Sequence, residues 1–189
     1  MNFCRHLAEA AIANPDALAV AVQKCRYRRL SYDEIDFLHL HQESDVIAQA
    51  LTDQGIKAGM KAVLMVTPSI EFFALTFALF KAGIIPIFVD PGLGIKNLKQ
   101  CFVESAPDAF IGIAKAHLAR KIFSWGKQSL QFIVTVGSGN LLGGVKLTKL
   151  IKQTKNRYTL PLSYPMVQLA AHDLAAILFT SGSTGTPKG

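Results

Sequence analysis

The sequence alternates short apolar runs with segments of helical periodicity, and this alternation constrains the fold more than any other feature. The apolar runs lie at positions 61–66, 84–89, 109–113, 131–136 and 174–179. Each run is apolar throughout, which is typical of strands that are buried on both faces of a parallel sheet. The pattern therefore predicts an α/β fold, a mostly parallel sheet with helices on both faces.

The region before the first apolar run predicts two helices and a short N-terminal hairpin. A helix is expected over positions 2–14 and a hairpin from positions 17–22 and 28–31. Ser31 followed by Glu34 has the spacing of a capping box, which predicts a helix from Ser31 to about Gln54.

Helices are also expected between the later apolar runs. Pro68 and Ser69 begin a helix that ends at Gly83, and further helices are predicted over positions 96–105 and 115–125. Four aromatic residues of the first of these helices are predicted to belong to the core: Phe72, Phe73, Phe77 and Phe80. Trp125 is predicted to be only partly packed.

Composition indicates the size and environment of the fold. Half of the 189 residues are hydrophobic, which is enough for the core of one ordinary domain or two small ones. Cys4, Cys25 and Cys101 lie far apart, and the N-terminus does not resemble a secretory signal, so reduced thiols and a cytoplasmic location are expected. The most apolar stretch, at positions 70–80, is too short for a transmembrane segment.

Charge is distributed unevenly along the chain. The net charge is +7, and positions 109–189 contain ten basic residues and one acidic residue, Asp173. Basic segments occur in proteins that bind nucleic acid, anionic lipid or phosphate ligands. No aromatic residues are interleaved with the basic ones of the predicted late helix, which are Lys146, Lys149, Lys152, Lys155 and Arg157. A solvated helix face without nucleic-acid binding is predicted, and a non-catalytic polyanion-binding module is the alternative.

The histidines do not predict a metal site. No cysteine or carboxylate lies at ligand spacing from any of them, and two on one helix, His39 and His41, do not share a face. All five are predicted to lie at the surface: His6, His39, His41, His117 and His172.

The loop at positions 180–189 directly follows the last apolar run and suits a polyphosphate. It contains Gly182, Gly185 and Lys188, together with the hydroxyl side chains of Thr180, Ser181, Ser183, Thr184 and Thr186. Glycines bring backbone N–H groups close to an anion, hydroxyls donate hydrogen bonds to phosphate oxygens, and lysine adds a positive charge. The glycine and lysine spacing differs from that of the P-loop of common NTPases.

This ten-residue string resembles the phosphate loop of the adenylate-forming superfamily, which includes acyl-CoA synthetases, luciferases and the adenylation domains of peptide synthetases. Earlier segments match the superfamily in the expected order, at positions 30–35, 55–59, 81–83 and 90–91. The resemblance covers nearly the whole chain. Positions 72–77 and 89–94 look closest to fatty-acyl ligases, including the bacterial branch linked to olefin and β-lactone synthesis.

The resemblance implies ATP-dependent activation of a carboxylic acid, with a fatty acid favoured, as an acyl-adenylate with release of pyrophosphate. Transfer to a thiol, of CoA or of phosphopantetheine on a carrier protein, would follow, and Mg²⁺ would accompany the nucleotide. The residues implied to bind the ATP phosphates are Thr180, Ser181, Gly182, Ser183, Thr184, Gly185, Thr186 and Lys188. Lys188 would also stabilise charge during the reaction. An amino-acid-activating domain of a peptide synthetase is the alternative enzyme.

The resemblance also implies how the chain relates to a complete enzyme. Residues 1–189 are expected to form the N-terminal part of an AMP-binding domain, cut just after the phosphate loop, with a candidate linker at 156–166. Most of the acyl pocket, the magnesium ligand and a late catalytic lysine are expected beyond Gly189. The chain by itself is therefore expected to be inactive and to associate with itself through uncovered apolar surface.

Overall fold

The computed structural model describes residues 2–26, 29–139 and 143–179, and it is an α/β structure. The helices are α1 (Arg5–Ala13), α2 (Phe37–Asp53), α3 (Ile70–Lys81), α4 (Ile95–Ser105), α5 (Ala114–Ile122) and α6 (Leu147–Arg157). The strands are β1 (Leu18–Arg26), β2 (Arg29–Asp36), β3 (Lys61–Met65), β4 (Ile85–Phe88), β5 (Ala109–Ile113), β6 (Phe132–Val136), β7 (Val145–Lys146) and β8 (Ile177–Leu178). A short 3₁₀ turn over Pro91–Leu93 follows β4.

Six strands of the described chain form one sheet in the order β7-β6-β5-β3-β4-β8. All neighbouring strands run parallel; Val63 of β3, for example, pairs with Ile87 of β4 on one side and Phe110 of β5 on the other. The predicted parallel sheet is therefore confirmed. Strand β8 lies beside β4, so the end of the described chain returns to the middle elements of the fold.

Helices cover both faces of this sheet, as predicted. On one face, α2, α3 and α6 pack against sheet residues such as Leu64 and Ile111. On the other, α4 and α5 pack against Val63, Ile87 and Phe110. The sheet residues alternate between the two faces, as the pleat of a strand requires.

The hairpin is longer than predicted, and the predicted capping box is wrong. Ser31 and Glu34 lie within β2, where they pair with Lys24 and Ala21 of β1. Helix α2 begins at Phe37 instead, and the carboxylate of Asp36 accepts a hydrogen bond of 2.7 Å from the backbone N–H of His39. The antiparallel ladder satisfies the backbone groups of this segment, so the local capping signal does not determine where the helix starts.

The C-terminal part of the described chain differs most from the sequence prediction. Strand β7 was not predicted, and β8 contains two residues where positions 174–179 were expected. Between α6 and β8 the chain has no helix or strand, but the backbone N–H of Val167 donates to the carbonyl of Lys81 at 2.9 Å. The linker at 156–166 stays a prediction, and its first two residues belong to α6.

Two of the sequence predictions concern the protein surface. One is that the most apolar stretch is too short for a transmembrane segment, and the other is that the basic face of the late helix is solvated. Among the described residues, none of the helices has both the length and the apolar character needed to cross a bilayer. The basic face of α6 is solvated as predicted: Lys149, Lys152, Lys155 and Arg157 are all exposed.

Candidate functional site

An apolar cavity of about 740 Å³ lies at the carboxyl ends of β3, β4, β5 and β8. Its walls include the residues that directly follow these strands, such as Val66 and Val89, and the last described residue, Phe179. Open parallel sheets bind their ligands at this edge, and the volume is typical of a small-molecule site. The cavity is therefore the candidate binding site.

Helix α3 forms the wall beside β3 and β4. Ser69 caps the helix by accepting a hydrogen bond of 3.2 Å from the backbone N–H of Phe72. This places Phe72 in the first turn, at the carboxyl edge of the sheet, where its ring lies 6.2 Å from that of Phe88. Phe72 thus lines the cavity, while Phe73 and Phe77 are partly buried against the core. The prediction that these aromatics belong to the core holds for Phe73 and Phe77, whereas Phe72 also faces the ligand space. Phe80 is only partly buried, and its ring lies against that of Phe3 rather than in the core.

Helix α5 and the turn after it form the opposite wall. Ala116, Ala119 and Phe123 line the cavity there. Trp125 lines it too and is 3% exposed, with its ring stacked on Phe102 at 5.6 Å between centroids. The prediction of partial packing for Trp125 is wrong. The backbone turns back after α5, so that the N–H of Trp125 donates to the carbonyl of Arg120, and this carries the indole onto the sheet face.

Few polar side chains border the cavity. They are Thr67, Asp90 and Lys115, each at or just beyond the end of a strand. The Asp90 carboxylate accepts a hydrogen bond of 2.8 Å from the backbone N–H of Gly92, which fixes the turn after β4. Lys115 lies in the first turn of α5 and is exposed. The arrangement suits a ligand with an apolar body and a polar end.

The predicted phosphate loop, Thr180 to Gly189, lies outside the described residues, and so do all eight predicted site residues. The structure describes the approach to it. Leu178 pairs with Phe88, and the backbone N–H of Phe179 donates to the carbonyl of Phe88 at 3.3 Å. Both Leu178 and Phe179 line the cavity. The last described residue therefore lies at the cavity wall, and the roles of the loop residues stay predictions.

His117 lies near the cavity but is closed off from it. The side chain is 1% exposed, and Nε2 lies 3.2 Å from both the carbonyl of Val134 and the hydroxyl of Thr135. Burial lowers the pKa of His117, which favours the neutral ring. The prediction that it lies at the surface is wrong because α5 packs this side chain against β6. His117 is not among the residues that line the cavity.

A second polar cluster lies at the far end of α3 and comprises Lys81, Asp45 and His41, here called the Lys81 cluster. The Lys81 side chain is 0% exposed, and Nζ lies 2.7 Å from an oxygen of Asp45, 2.8 Å from the carbonyl of His41 and 3.0 Å from His41 Nδ1. Burial lowers the pKa of Lys81, and the adjacent carboxylate opposes this effect. His41 is therefore not the surface residue that was predicted.

Burial favours the neutral forms of two ionisable groups at the Lys81 cluster, His41 and the nearby Cys4. Burial, followed by the charge of Lys81, lowers the pKa of His41, so the neutral ring is favoured. A neutral ring can accept from Lys81 at Nδ1 while Nε2 faces Asp45 at 3.4 Å. Burial raises the pKa of the nearby Cys4 thiol to about 12. A thiol in this state is a poor nucleophile, so the cluster has a structural character rather than a catalytic one.

Comparison with known proteins identifies the class of this fold and site. Residues 7–189 match the family model described as AMP-binding enzyme. The chain is 44% identical over 191 residues to an olefin beta-lactone synthetase of Xanthomonas campestris pv. campestris, a match that covers 100% of this chain and 33% of that protein. It is 27% identical over 175 residues to a long-chain-fatty-acid–CoA ligase of Salmonella typhimurium, covering 81% of this chain and 31% of the ligase.

The solved structures give the same result for the fold. The crystal structure of an anthranilate CoA ligase in complex with anthranoyl-AMP matches with a TM-score of 0.82 at 18% identity, covering 99% of this chain and 33% of that one. The fold of this chain is thus the fold of the N-terminal domains of adenylate-forming enzymes. The chain belongs to the AMP-binding enzyme family, which confirms the superfamily prediction. It spans about a third of the length of the curated relatives it matches.

Proposed function

We propose that the full-length protein activates a fatty acid with ATP, forming an acyl-adenylate and releasing pyrophosphate. The observation that carries the proposal is the position of the apolar cavity. Phe179 lines the cavity, and the next residue, Thr180, is the first of the family's phosphate loop. An alkyl chain in the cavity would therefore have its carboxylate close to the nucleotide.

The lining of the cavity supports an alkyl substrate over a polar one. Most lining residues are aliphatic or aromatic, so binding an alkyl chain removes apolar surface from water on both partners. The polar groups Thr67, Asp90 and Lys115 lie where strands end, at the same edge of the sheet as Phe179. An amino acid would leave its ammonium group or polar side chain poorly matched to most of this surface.

The proposal assigns the phosphate loop its family role. Lys188 supplies a point charge to the phosphates, and the hydroxyls and glycines between Thr180 and Thr186 supply hydrogen-bond donors. Mg²⁺ accompanies the nucleotide, and none of the described residues is assigned to hold it. Charge moves onto the pyrophosphate oxygens as the acyl-adenylate forms, so a lysine beside them favours the transition state.

The fate of the acyl-adenylate is a separate part of the proposal. Transfer to the thiol of CoA is one outcome, and a phosphopantetheine thiol on a carrier protein is another. The Xanthomonas relative is named for a β-lactone product. Product analysis with a 3-hydroxy fatty acid, with and without CoA, distinguishes these outcomes. A thioester requires the thiol of CoA to displace AMP, whereas a β-lactone forms without CoA when the acid's own 3-hydroxyl displaces AMP.

The location and assembly of the chain are also proposals. Cys4 and Cys101 are buried and unpaired, as expected in the reducing cytoplasm. Leu178, which lines the cavity, and Leu174 are both exposed. The isolated chain of 189 residues is therefore expected to self-associate, which size-exclusion chromatography checks.

Carboxylate-dependent pyrophosphate exchange tests the first half-reaction. Lys188→Ala in the full-length protein is expected to slow exchange by about ten- to thousand-fold, because one charge-assisted contact is lost in the transition state. Transfer from preformed acyl-adenylate should change much less. Lys149→Ala, on the exposed face of α6, is the matched control and should leave exchange unchanged. Normal exchange in Lys188→Ala would show that the loop has no part in the mechanism. Exchange that the wild-type protein supports with amino acids but not with fatty acids would favour the peptide-synthetase alternative.

A further inference from the structure

Helices α4 and α5 pack against the same face of the sheet, so their other sides point outward together. Leu98 and Phe102 of α4 and Ala116 of α5 belong to one core cluster with Phe110 of the sheet. The exposed residues of α4 and α5, together with Lys127 in the turn after α5, are here called the α4–α5 face.

Charge on the α4–α5 face is strongly unbalanced. Its exposed residues include one acid, Glu104, and five lysines, which are Lys96, Lys99, Lys115, Lys121 and Lys127. Within the described residues the ion pairs involve other side chains, so no carboxylate of that part of the chain neutralises these lysines. The face therefore attracts an anionic partner, and it repels a second copy of itself because like charges would meet.

Aliphatic side chains lie among these lysines. Val103 is 72% exposed and Ile122 is 63% exposed. Val103 lies one turn after Lys99, and the exposed Leu118 lies one turn after Lys115, so basic and aliphatic groups share one side of each helix. Surfaces that bind anionic bilayers combine these two kinds of side chain, because lysines meet the head groups and aliphatic side chains reach the acyl boundary.

Helix α6 provides an internal comparison. Its exposed side is also basic, but none of the large exposed apolar side chains of the described chain lies on it. The two basic surfaces therefore differ in their aliphatic residues. Nucleic acid offers those residues no matching surface, because single strands are bound by stacking on aromatic side chains and duplexes mainly through their phosphates. The composition of the α4–α5 face thus favours a lipid surface over nucleic acid.

A cleft of about 440 Å³ lies within the α4–α5 face, between α4 and the turn after α5. Lys99 and Lys127 line it, together with Ser124 and Ser129, whose hydroxyls are hydrogen-bond donors. Val103 also lines the cleft. A phosphate head group that enters it meets two positive charges and two hydroxyl donors beside an exposed aliphatic side chain.

We propose that the α4–α5 face binds the protein to the surface of membranes that contain anionic phospholipids. The lysines contact the lipid phosphates, one of which occupies the cleft, and the aliphatic side chains enter the boundary between head groups and acyl chains. The binding is peripheral, and it goes beyond the proposed function without depending on it.

The experiment measures sedimentation of the full-length protein with lipid vesicles. Vesicles of phosphatidylcholine alone are compared with vesicles that also contain about one third phosphatidylglycerol. We expect binding to the anionic vesicles that weakens as the salt concentration rises, and little binding to the neutral ones. Lys99→Glu combined with Lys121→Glu should lower the partition coefficient about tenfold or more at low salt, because basic residues near an anionic surface each contribute to binding.

A second pair of substitutions tests the aliphatic side chains. Val103→Ser combined with Ile122→Ser should lower the partition coefficient about threefold or more at both low and high salt, because salt does not screen apolar contacts. Both side chains are exposed, so the fold should be retained, which urea denaturation checks. Lys149→Glu combined with Lys152→Glu makes the same change of charge on α6 and is the matched control. It should alter binding by less than about twofold, since α6 lies on the opposite face of the sheet.

The outcomes decide between a bilayer and other partners. Absence of binding to anionic vesicles by the wild-type protein would overturn the proposal, as would equal losses in the charge variants of the two surfaces. Tighter binding to DNA than to vesicles, unchanged in the serine variant, would assign the face to nucleic acid. Self-association that disappears in the serine variant would assign it to a second copy. No acyl substrate enters these measurements, so pyrophosphate exchange tests the proposed function separately.

Discussion

The two ends of helix α3 are built in opposite ways. At the N-terminal end, Phe72 faces an apolar cavity. At the C-terminal end, the fully buried ammonium of Lys81 has three contacts of 3.0 Å or less. The helix has 12 residues, so only about 18 Å separates an end with space for a ligand from an end with directional polar contacts. The difference indicates that the N-terminal end leaves space for a ligand, whereas the C-terminal end fixes the position of the helix.

Long-range hydrogen bonds strengthen the C-terminal end further. The side-chain amide of Asn2 donates to the carbonyl of Phe80 at 2.8 Å and to that of Val167 at 2.9 Å. These bonds join the N-terminal segment, α3 and the chain after α6. A buried amide with such partners tolerates little displacement, because an unpaired polar group in the interior is costly. The fixed end of α3 thus orients the helix whose other end forms the cavity wall.

Among variants at the two ends of α3, Lys81→Met is expected to lower the stability most. The substitution preserves most of the side-chain volume but leaves Asp45 buried without its partner, which should lower the free energy of unfolding by about 3–5 kcal/mol. Urea denaturation measures the loss. Lys115→Met removes an exposed lysine at the cavity edge and should change the stability by no more than about 0.5 kcal/mol. Similar losses in the two variants would contradict the contrast between the ends of α3.

A double variant tests whether the ion pair causes that loss. Adding Asp45→Leu to Lys81→Met removes the unpaired carboxylate, so part of the lost stability should return. If the double variant is as unstable as the sum of the two single ones, the cluster does not act as a unit.

Phe72→Ala at the cavity end should have a smaller effect on stability. One side of the ring already faces open space, so truncation removes limited packing, and a loss of about 1–2 kcal/mol is expected. Leu75→Ala, one turn along the same helix and fully buried, is the control and should cost about 2–5 kcal/mol. Equal losses in the two variants would show that the cavity end is packed as tightly as the core.

Mild acid should lower the stability of the fold through protonation of His41 in the Lys81 cluster. Burial and the adjacent Lys81 lower the pKa of His41 below the ordinary value of 6.5. The unfolded chain therefore binds this proton more readily than the folded one. The stability linked to neutral His41 is present above about pH 6.5 and is lost as the pH falls toward the folded-state pKa. Urea denaturation between pH 7.5 and 5.5 should show this loss.

Two variants identify the group responsible for the acid effect. His41→Gln should reduce the pH dependence, because Asp45 and Lys81, the charged groups in contact with the ring, then have no titrating neighbour in this range. His6→Gln, at an exposed histidine of α1, should leave the pH dependence as it is in the wild type. A pH dependence that survives His41→Gln unchanged would place its origin elsewhere.

The smallest effect is expected on the exposed face of α6. Replacing Lys149 and Lys152 together with glutamate should change the free energy of unfolding by less than about 0.5 kcal/mol, since both side chains are solvated. Pyrophosphate exchange should be unaffected. Salt-sensitive binding to polyanions that disappears in this variant would instead support the alternative of a polyanion-binding module.

The sequence predicted the strands well where the apolar runs are continuous. Strand β5 extends from Ala109 to Ile113, as expected from the sequence, and the start of α3 after Ser69 follows from a local cap. The prediction failed for Ser31, where pairing with β1 overrode a capping signal. It also failed for His117 and Trp125, whose burial depends on how α5 packs. Local sequence does not contain those contacts.

For the candidate site, the sequence predicted a phosphate loop and the tertiary structure located the cavity. The phosphate loop is a contiguous string, so its composition and its position after a strand are visible in the sequence. The residues at 116, 119 and 125 follow a different strand and were not assigned to a site. The sequence signal for this wall was the pair of alanines at helical spacing in α5. Such a pair does not predict a cavity, because the sequence does not show which residues face it.

By itself, the sequence determined the α/β class, the parallel sheet and the superfamily, because apolar runs and a specific loop are local properties of the chain. The tertiary structure alone decided which strands are neighbours. Strand β8 pairs with β4, far from it in the chain, and this brings Phe179 to the same cavity as Phe72 and α5. It also decided that Lys81 is buried against Asp45, 36 residues away. Both arrangements depend on burial and pairing between distant segments, which hydrophobic periodicity does not specify.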